Sequence, residues 1–200
     1  MARVGGTRRK LLEAAFAEVH RHGFQAASLD AIVERAGVSK GALYHHFPDK
    51  SALGHAVIDE VVREPLLDAY LGPLENADGD PLAAIQHTLR RRADDFVSGG
   101  IELGCPLNNL TQEMSPLDEE FRARVNATLA SWTDAYTHAL GNAQQQGFIR
   151  PDVDVRSVAG LIVAAVEGSF GMAKAGQSVD ALRSSLGALA DLLEGLRPAA

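Results

Sequence analysis

Lys40, Gly41, Tyr44 and His45 bring a cation, an aromatic hydroxyl and an imidazole onto one short segment. Such groups contact phosphates and the edges of bases, and Gly41 and Ala42 are small enough to let a helix backbone come close. The second chemical candidate is the single cysteine, Cys105, directly before Pro106. A thiol at a helix start meets unpaired N–H groups and the positive end of the helix dipole, which favour the nucleophilic thiolate. Gly104 would leave it uncovered, and Lys174, on one helical face with Glu167 and Phe170, is its candidate partner. The alternative is a buried cysteine that packs a corner. Enzymatic motifs are missing: there is no HExxH, CxxC, Gly-rich phosphate loop or nucleophile elbow. His45 and His46 are adjacent, so a regular helix points them to different faces and they cannot chelate one metal. The expectation is a protein that is not an enzyme and takes no cofactor or metal.

The elements that hold these residues read as helices, because apolar residues recur every three or four positions and alternating β-branched runs are missing. Leu12, Phe16 and Val19 stripe a first helix from about Thr7 to His22, which Gly23 stops. Ser28 caps a short helix carrying Leu29, Ile32, Val33 and Ala36, and Gly37 ends it. Ser39 caps the next, from Lys40 to Phe47, which Pro48 stops; Asp49 caps a fourth from Lys50. Two short helices joined by a Gly-containing turn form a helix-turn-helix, whose second helix enters the major groove. Leu43 and Phe47, at i and i+4, face the core and turn Lys40, Gly41, Tyr44 and His45 outward. An ordinary helical hairpin whose Tyr and His cover the core is the other reading.

The net charge of −7 argues against nucleic acid, but its distribution does not. Residues 1–50 hold eight Lys and Arg against five acids, while residues 51–200 hold eleven against twenty-one. A weakly basic module is joined to an acidic body. Arg3, Arg8 and Arg9 form an arm that reaches the DNA backbone or minor groove, or is simply solvated.

The stretch from Ser28 to Lys50, SLDAIVERAGVSKGALYHHFPDK, resembles the DNA-binding signature of the TetR/AcrR family of transcriptional regulators. The capped helix, the AGVS turn, the LYxHF core and the following Lys all fall in register; the family's usual Ile-Ala pair is Ile32-Val33 here. The resemblance implies a homodimeric repressor whose all-helical regulatory domain binds a small molecule and so releases a palindromic operator. DNA and effector would favour different separations of the two heads, through a pendulum-like movement of the fourth helix. It implies DNA contacts by Ser28, Ser39, Lys40, Gly41, Ala42, Tyr44, His45, His46 and Lys50, with base edges falling to Lys40, Gly41 and His45 and phosphates to Ser28, Tyr44, His46 and Lys50. The segment from Gly104 to Leu110 is similar to a branch of the family in which some members sense electrophiles or oxidants through the cysteine.

The body reads as further helices. One runs from Lys50 to about Tyr70, bent by Pro65, with a loop over Gly72 to Gly79; Asp80 and Pro81 start the next, which Gly99-Gly100 ends. A short helix follows Cys105-Pro106 to about Met114, and a long one opens at Ser115-Pro116-Leu117-Asp118 and reaches Gln146. The last two, from Val155 to Ala175 and from Val179 to Leu196, are more apolar than surface helices and suggest a four-helix dimer interface through Leu161, Phe170, Leu182, Leu186, Leu189 and Leu193, the alternative being that they bury only within one chain. Candidate effector-binding residues are Phe96, Cys105, Asn109, Glu113, Met114, Trp132, Tyr136, Glu167, Phe170 and Lys174.

Length and composition agree with this. Two hundred residues, 46% hydrophobic and 22% charged, suit one or two globular units of all-α class: a helix-turn-helix domain over 1–50 and a ligand-binding and dimerisation domain over 51–200, about nine helices in all. The strongest apolar stretch, Val158 to Val166, is nine residues and too short for a bilayer, and no apolar segment follows the basic N-terminus, so a cytoplasmic protein is expected, with no membrane partner. The partners are double-stranded operator DNA, a second copy and an unidentified small-molecule or electrophile effector. The alternatives are an architectural DNA-binding protein without an effector, for which the body is too acidic, and a helical enzyme using Cys105.

Overall fold

A computed structural model of the chain describes residues 4–75, 79–97 and 99–199. All regular structure among the described residues is helical: α1 (Val4–His22), α2 (Leu29–Ala36), α3 (Lys40–His46), α4 (Lys50–Val57, continued by Ile58–Val62 and Arg63–Glu75), α5 (Pro81–Arg92, extended by Ala93–Phe96), α6 (Pro106–Met114), α7 (Glu119–Gln145), α8 (Val155–Gly176) and α9 (Val179–Glu194). Local chemistry sets most boundaries. The Ser28, Ser39, Asp49, Asp80 and Ser178 side chains each accept the backbone N–H three residues on, and Gly37 ends α2 in the left-handed region at φ 65°.

Two boundaries differ from expectation. The Ile58–Val62 stretch of α4 is a π turn in which the Arg63 N–H reaches Ile58 O; it stands just ahead of Pro65, which has no N–H to give to the preceding turn. The helix then runs through Pro73 to Glu75, beyond the expected end at Tyr70, and residues 76–78 of the expected loop lie outside the described residues. The long helix begins at Glu119 because Asp118 is the residue that caps it, accepting the Phe121 N–H at 3.0 Å. Those hydrogen bonds hold the Asp118 carboxyl below the usual carboxylate range.

The chain forms two compact units, Met1–Pro65 with Pro106–Ala127, and Leu66–Cys105 with Thr128–Ala200, the divisions falling within α4, at the start of α6 and within α7. In the first, α1 packs on α2 and α4 around Leu11, Ala15, Ile32, Leu43, Leu53 and Val57, all buried. Gly54 lets α4 approach two rings: a Cβ there would stand 2.4 Å from Phe24 Cε2 and 2.6 Å from Phe121 Cζ, and those rings stack at 4.5 Å. Gly54→Ala is therefore expected to destabilise this unit by about 1–3 kcal/mol through overpacking, read from urea unfolding; a midpoint equal to wild type would show that the rings move apart freely.

In the second unit α9 packs on α5 and α8. Leu182, Leu186, Leu189 and Leu193 are buried there, together with Phe170, within a single chain. This corrects the expected dimer seam: the four–three spacing of the leucines records burial against α5 and α8, which leaves those side chains with nothing to offer a second copy. Of the expected interface residues only Leu161 is exposed, at 65%. Gln86 reinforces the packing, its buried amide donating to Ala190 O at 2.9 Å. The α8 helix is long and apolar enough, by length and composition, to cross a membrane, because alanine and glycine extend it beyond its nine-residue apolar stretch; Ile162, Val163, Val166, Phe170 and Ala173 of that helix are buried within the protein.

Candidate nucleic-acid interface and a buried aromatic cluster

Within the first unit, α3 presents the outward face that its spacing predicts. Leu43 and Phe47 are buried at 1% and 2% exposure, which turns Tyr44 outward at 53%. Ser28, Ser39, Lys40, Gly41 and His45 are exposed, and Ala42, His46 and Lys50 are half-buried. The Ser28 and Ser39 hydroxyls are engaged as caps, accepting from Ala31 and Ala42 at 3.3 and 3.1 Å. Lys40 pairs with Asp30, which raises the ammonium's affinity for its proton and links the reading helix to α2. The His45 and His46 rings lie 5.2 Å apart, edge to face. Arg8 pairs with Glu60 and sits over the Phe47 ring, so this expected arm residue is folded onto its own unit, while Arg3 lies outside the described residues.

The turn between α1 and α2 holds a contact that sequence reasoning missed. The Glu113 carboxylate of α6 accepts the Phe24 N–H and the Gln25 N–H, both at 2.8 Å. From the other side the Lys50 ammonium donates to Gln25 O at 2.9 Å and stands over the Phe24 ring at 5.1 Å. Gly23, at φ 82°, closes the turn; a Cβ there would lie 3.0 Å from Glu113 Oε2. Glu113 is thus a clamp on the helix-turn-helix, which corrects its expected place in the effector site: its carboxylate is spent on two backbone donors. Asn109 and Met114 share that helix and belong to the same unit.

The second unit gathers the other expected effector residues. Tyr70 stacks on Trp132 with centroids 4.1 Å apart, Trp132 meets Tyr136 at 6.0 Å, and Phe96 meets Phe170 edge-on at 5.2 Å. The Arg92 guanidinium lies 4.8 Å from the Tyr70 ring centre and 5.7 Å from that of Phe96, and pairs with Asp95. Neither Tyr70 nor Arg92 was expected here: Arg92 stands one helix turn before Phe96, and Tyr70 is 26 residues from the nearest expected effector residue. Burial pushes both phenols upward, so they are neutral donors. The Cys105 thiol donates to Glu167 Oε1 at 3.5 Å, and burial pushes that carboxyl up to about 7. Cys105 is 7% exposed, which corrects the expectation of an uncovered thiol: Gly104, at φ 69°, carries the Lys174 methylenes, with an added Cβ only 2.9 Å from Lys174 Cδ.

A helix-turn-helix with an exposed reading face, joined to a helical unit with a buried aromatic and polar cluster, defines a DNA-binding regulator. Comparison with known proteins agrees. Residues 11–57 match the family described as bacterial regulatory proteins, tetR family, and residues 81–185 match the C-terminal domain of the LmrA/YxaF-like transcriptional regulators. The chain belongs to the TetR family of transcriptional regulators. It is 29% identical over 179 residues, 87% of this chain and 79% of the relative, to the transcriptional regulator AcuR of Cereibacter sphaeroides. It is 37% identical over 142 residues, 64% of this chain and 63% of the relative, to the regulator RutR of Escherichia coli. The crystal structure of a TetR regulatory protein from Rhodobacter sphaeroides superposes with a TM-score of 0.82 at 26% identity, covering 92% of this chain and 96% of that one.

Proposed function

We propose that the protein is a homodimeric, effector-responsive repressor that acts in the cytoplasm, with residues 1–50 reading a palindromic operator and residues 51–200 carrying the dimer interface and the effector site. The observation that carries the reading is the α3 face, where Tyr44 is exposed beside Lys40 and His45 on a helix whose apolar side is fully buried. An aromatic hydroxyl, a cation and an imidazole presented by a capped helix suit a phosphate backbone and base edges. Dimerisation is supported by the outer face of α8: Leu161, Ala164, Gly168, Gly171 and Ala175 recur at three and four and are all exposed, with Leu192 of α9 exposed at 76%. A two-fold pair sets its reading helices about one DNA turn apart, roughly 34–36 Å. The effector site is the Tyr70–Trp132–Tyr136 cluster, with Phe96, Arg92, Glu167 and Phe170. Electrophile sensing by Cys105 is a second reading, favoured by the thiol's hydrogen bond to Glu167.

The test is titration of the full chain against the intergenic DNA beside its own gene, with the number of copies per site read by sedimentation. Tyr44→Ala is expected to weaken operator binding by about tenfold or more while leaving the unfolding midpoint unchanged, since the side chain contributes little to the core; full affinity in that variant would remove α3 from the interface. Lys50→Ala is expected to flatten the salt dependence of binding by about one phosphate contact. An unchanged slope would confine Lys50 to its bond with Gln25 O. Retained electrophile response in Cys105→Ser would exclude the thiol as sensor.

A further inference from the structure

The face that α3 turns outward carries an acid. Asp30, the second residue of α2, reaches across the helix-turn-helix to Lys40, the first residue of α3, with 2.5 Å between Oδ1 and Nζ. Both side chains are exposed, at 69% and 63%. Lys40 holds its proton more tightly chiefly through the hydrogen bond to Asp30, then through the attraction of that carboxylate, with a smaller contribution from Tyr44, so the three side chains are neighbours on one surface. Fold stability does not account for the pair, because an ion pair between exposed side chains contributes little. A carboxylate in the first turn of α2 suits the helix dipole, but it would do so equally if it pointed away from α3. Facing duplex DNA it is repelled by phosphates, so an acid placed here costs affinity for every sequence.

Attraction to phosphates depends on net charge, whereas base edges are read by directed donors and acceptors. The Lys40 ammonium has three N–H groups and one charge. A carboxylate at 2.5 Å takes one donor and offsets the charge, which leaves two donors for a pair of acceptors such as O6 and N7 of guanine. Lys50 is the contrasting case: its partner is the neutral carbonyl of Gln25, so its charge stays available to a phosphate. We infer that Asp30 is a positioning residue that sets the specificity of DNA recognition, holding Lys40 back from the phosphate backbone and turning its free donors to a base edge. The inference rests on the reading of α3 as the DNA-contacting helix and assigns Asp30 a part in what that helix distinguishes. A free lysine strengthens binding to all sequences alike; the pair gives up that uniform attraction and so widens the gap between a matching site and the rest.

The experiment measures binding of the full chain to two duplexes of equal length, the intergenic DNA beside its own gene and a shuffled version of it, over a series of sodium chloride concentrations, with a urea unfolding midpoint for each variant. Asp30→Asn keeps the shape and removes the charge. It is expected to tighten binding to the shuffled duplex by about three- to tenfold near about 0.1 M salt and to steepen its salt dependence by about one phosphate contact. Binding to the intergenic duplex is expected to tighten by no more than about twofold, so the preference for it shrinks. Asp30→Glu, which keeps the charge, is expected to retain the wild-type slope and preference. In a Lys40→Ala background Asp30→Asn is expected to leave the slope unaltered, since no ammonium is then released. A wild-type slope on shuffled DNA in Asp30→Asn would overturn the proposal, as would equal tightening on both duplexes. Weaker binding to both with a lowered unfolding midpoint would also overturn it, by reducing Asp30 to a support of the helix start. Wild-type protein that binds the two duplexes equally would instead overturn the operator reading of the intergenic DNA, with the restraint of Lys40 by Asp30 still decided by the slope on shuffled DNA.

Discussion

Glu113→Ala is expected to destabilise the first unit by about 3 kcal/mol. Each charge-assisted bond to a backbone N–H contributes about 1.5–3 kcal/mol; two are lost, and the total is discounted because the Gln25 end is exposed. Alanine leaves the Phe24 and Gln25 N–H groups without an acceptor in a turn that Gly23, at φ 82°, has already committed to one path. Lys50 then holds the turn from the carbonyl side alone. Glu113→Gln is expected to recover less than half of the loss, because one of its two ends presents an N–H to a donor. Urea unfolding gives the magnitude, and amide hydrogen exchange gives the location: the Phe24 and Gln25 amides are expected to exchange faster in the variant than those of the α1 interior. Wild-type stability with wild-type exchange at those two amides would show that the clamp carries no energy.

That clamp marks the limit of what the sequence discloses. The caps at Ser28, Ser39, Asp49 and Asp80 are legible because each bond spans three residues, so residue type and spacing suffice. The outward face of α3 is legible for the same reason: Leu43 and Phe47 fix which side is buried, and the rest follows from 3.6 residues per turn. Glu113 reaches partners 88 and 89 residues away, and nothing near it in the sequence distinguishes a carboxylate that binds backbone amides from one that waits for a ligand.

The leucines of α9 show a second limit. Periodicity states that a stripe is buried without stating what buries it. Leu182, Leu186, Leu189 and Leu193 have coiled-coil spacing, yet their neighbours are α5 and α8 of the same chain, while the exposed seam on α8 is written in alanine and glycine, which carry little hydrophobic signal. Cys105 is similar. Its place beside Pro106 at a helix start is visible in the sequence, but its burial depends on Glu167 and Lys174, more than sixty residues on, which the chain brings back only through the packing of α8.

Glu167 supplies the second large effect, and its sign is unusual for a carboxylate. Burial raises its pKa from the ordinary 4.5 to about 7, against a smaller lowering by the Cys105 thiol. The folded protein therefore holds a proton that the unfolded chain has released between those values, and stability falls as pH rises through that window. The interval of about 2.5 pH units, at about 1.4 kcal/mol per unit, sets a ceiling of about 3.5 kcal/mol on the cost above that window. The Cys105 thiol and the Tyr70 phenol are among the groups that act on Glu167, and Tyr70 stays protonated throughout the window because burial raises it too. Glu167→Gln removes the ionisation while keeping the shape. The variant is expected to match wild type near pH 4 and to exceed it by about 3 kcal/mol at pH 8, measured by urea unfolding across that range. A difference between the two proteins that does not change with pH would mean that Glu167 ionises in the folded protein as freely as in the unfolded chain, through water or a cation reaching it. A difference that grows between about pH 4.5 and 7 and is level above that would establish a carboxyl kept neutral by its surroundings.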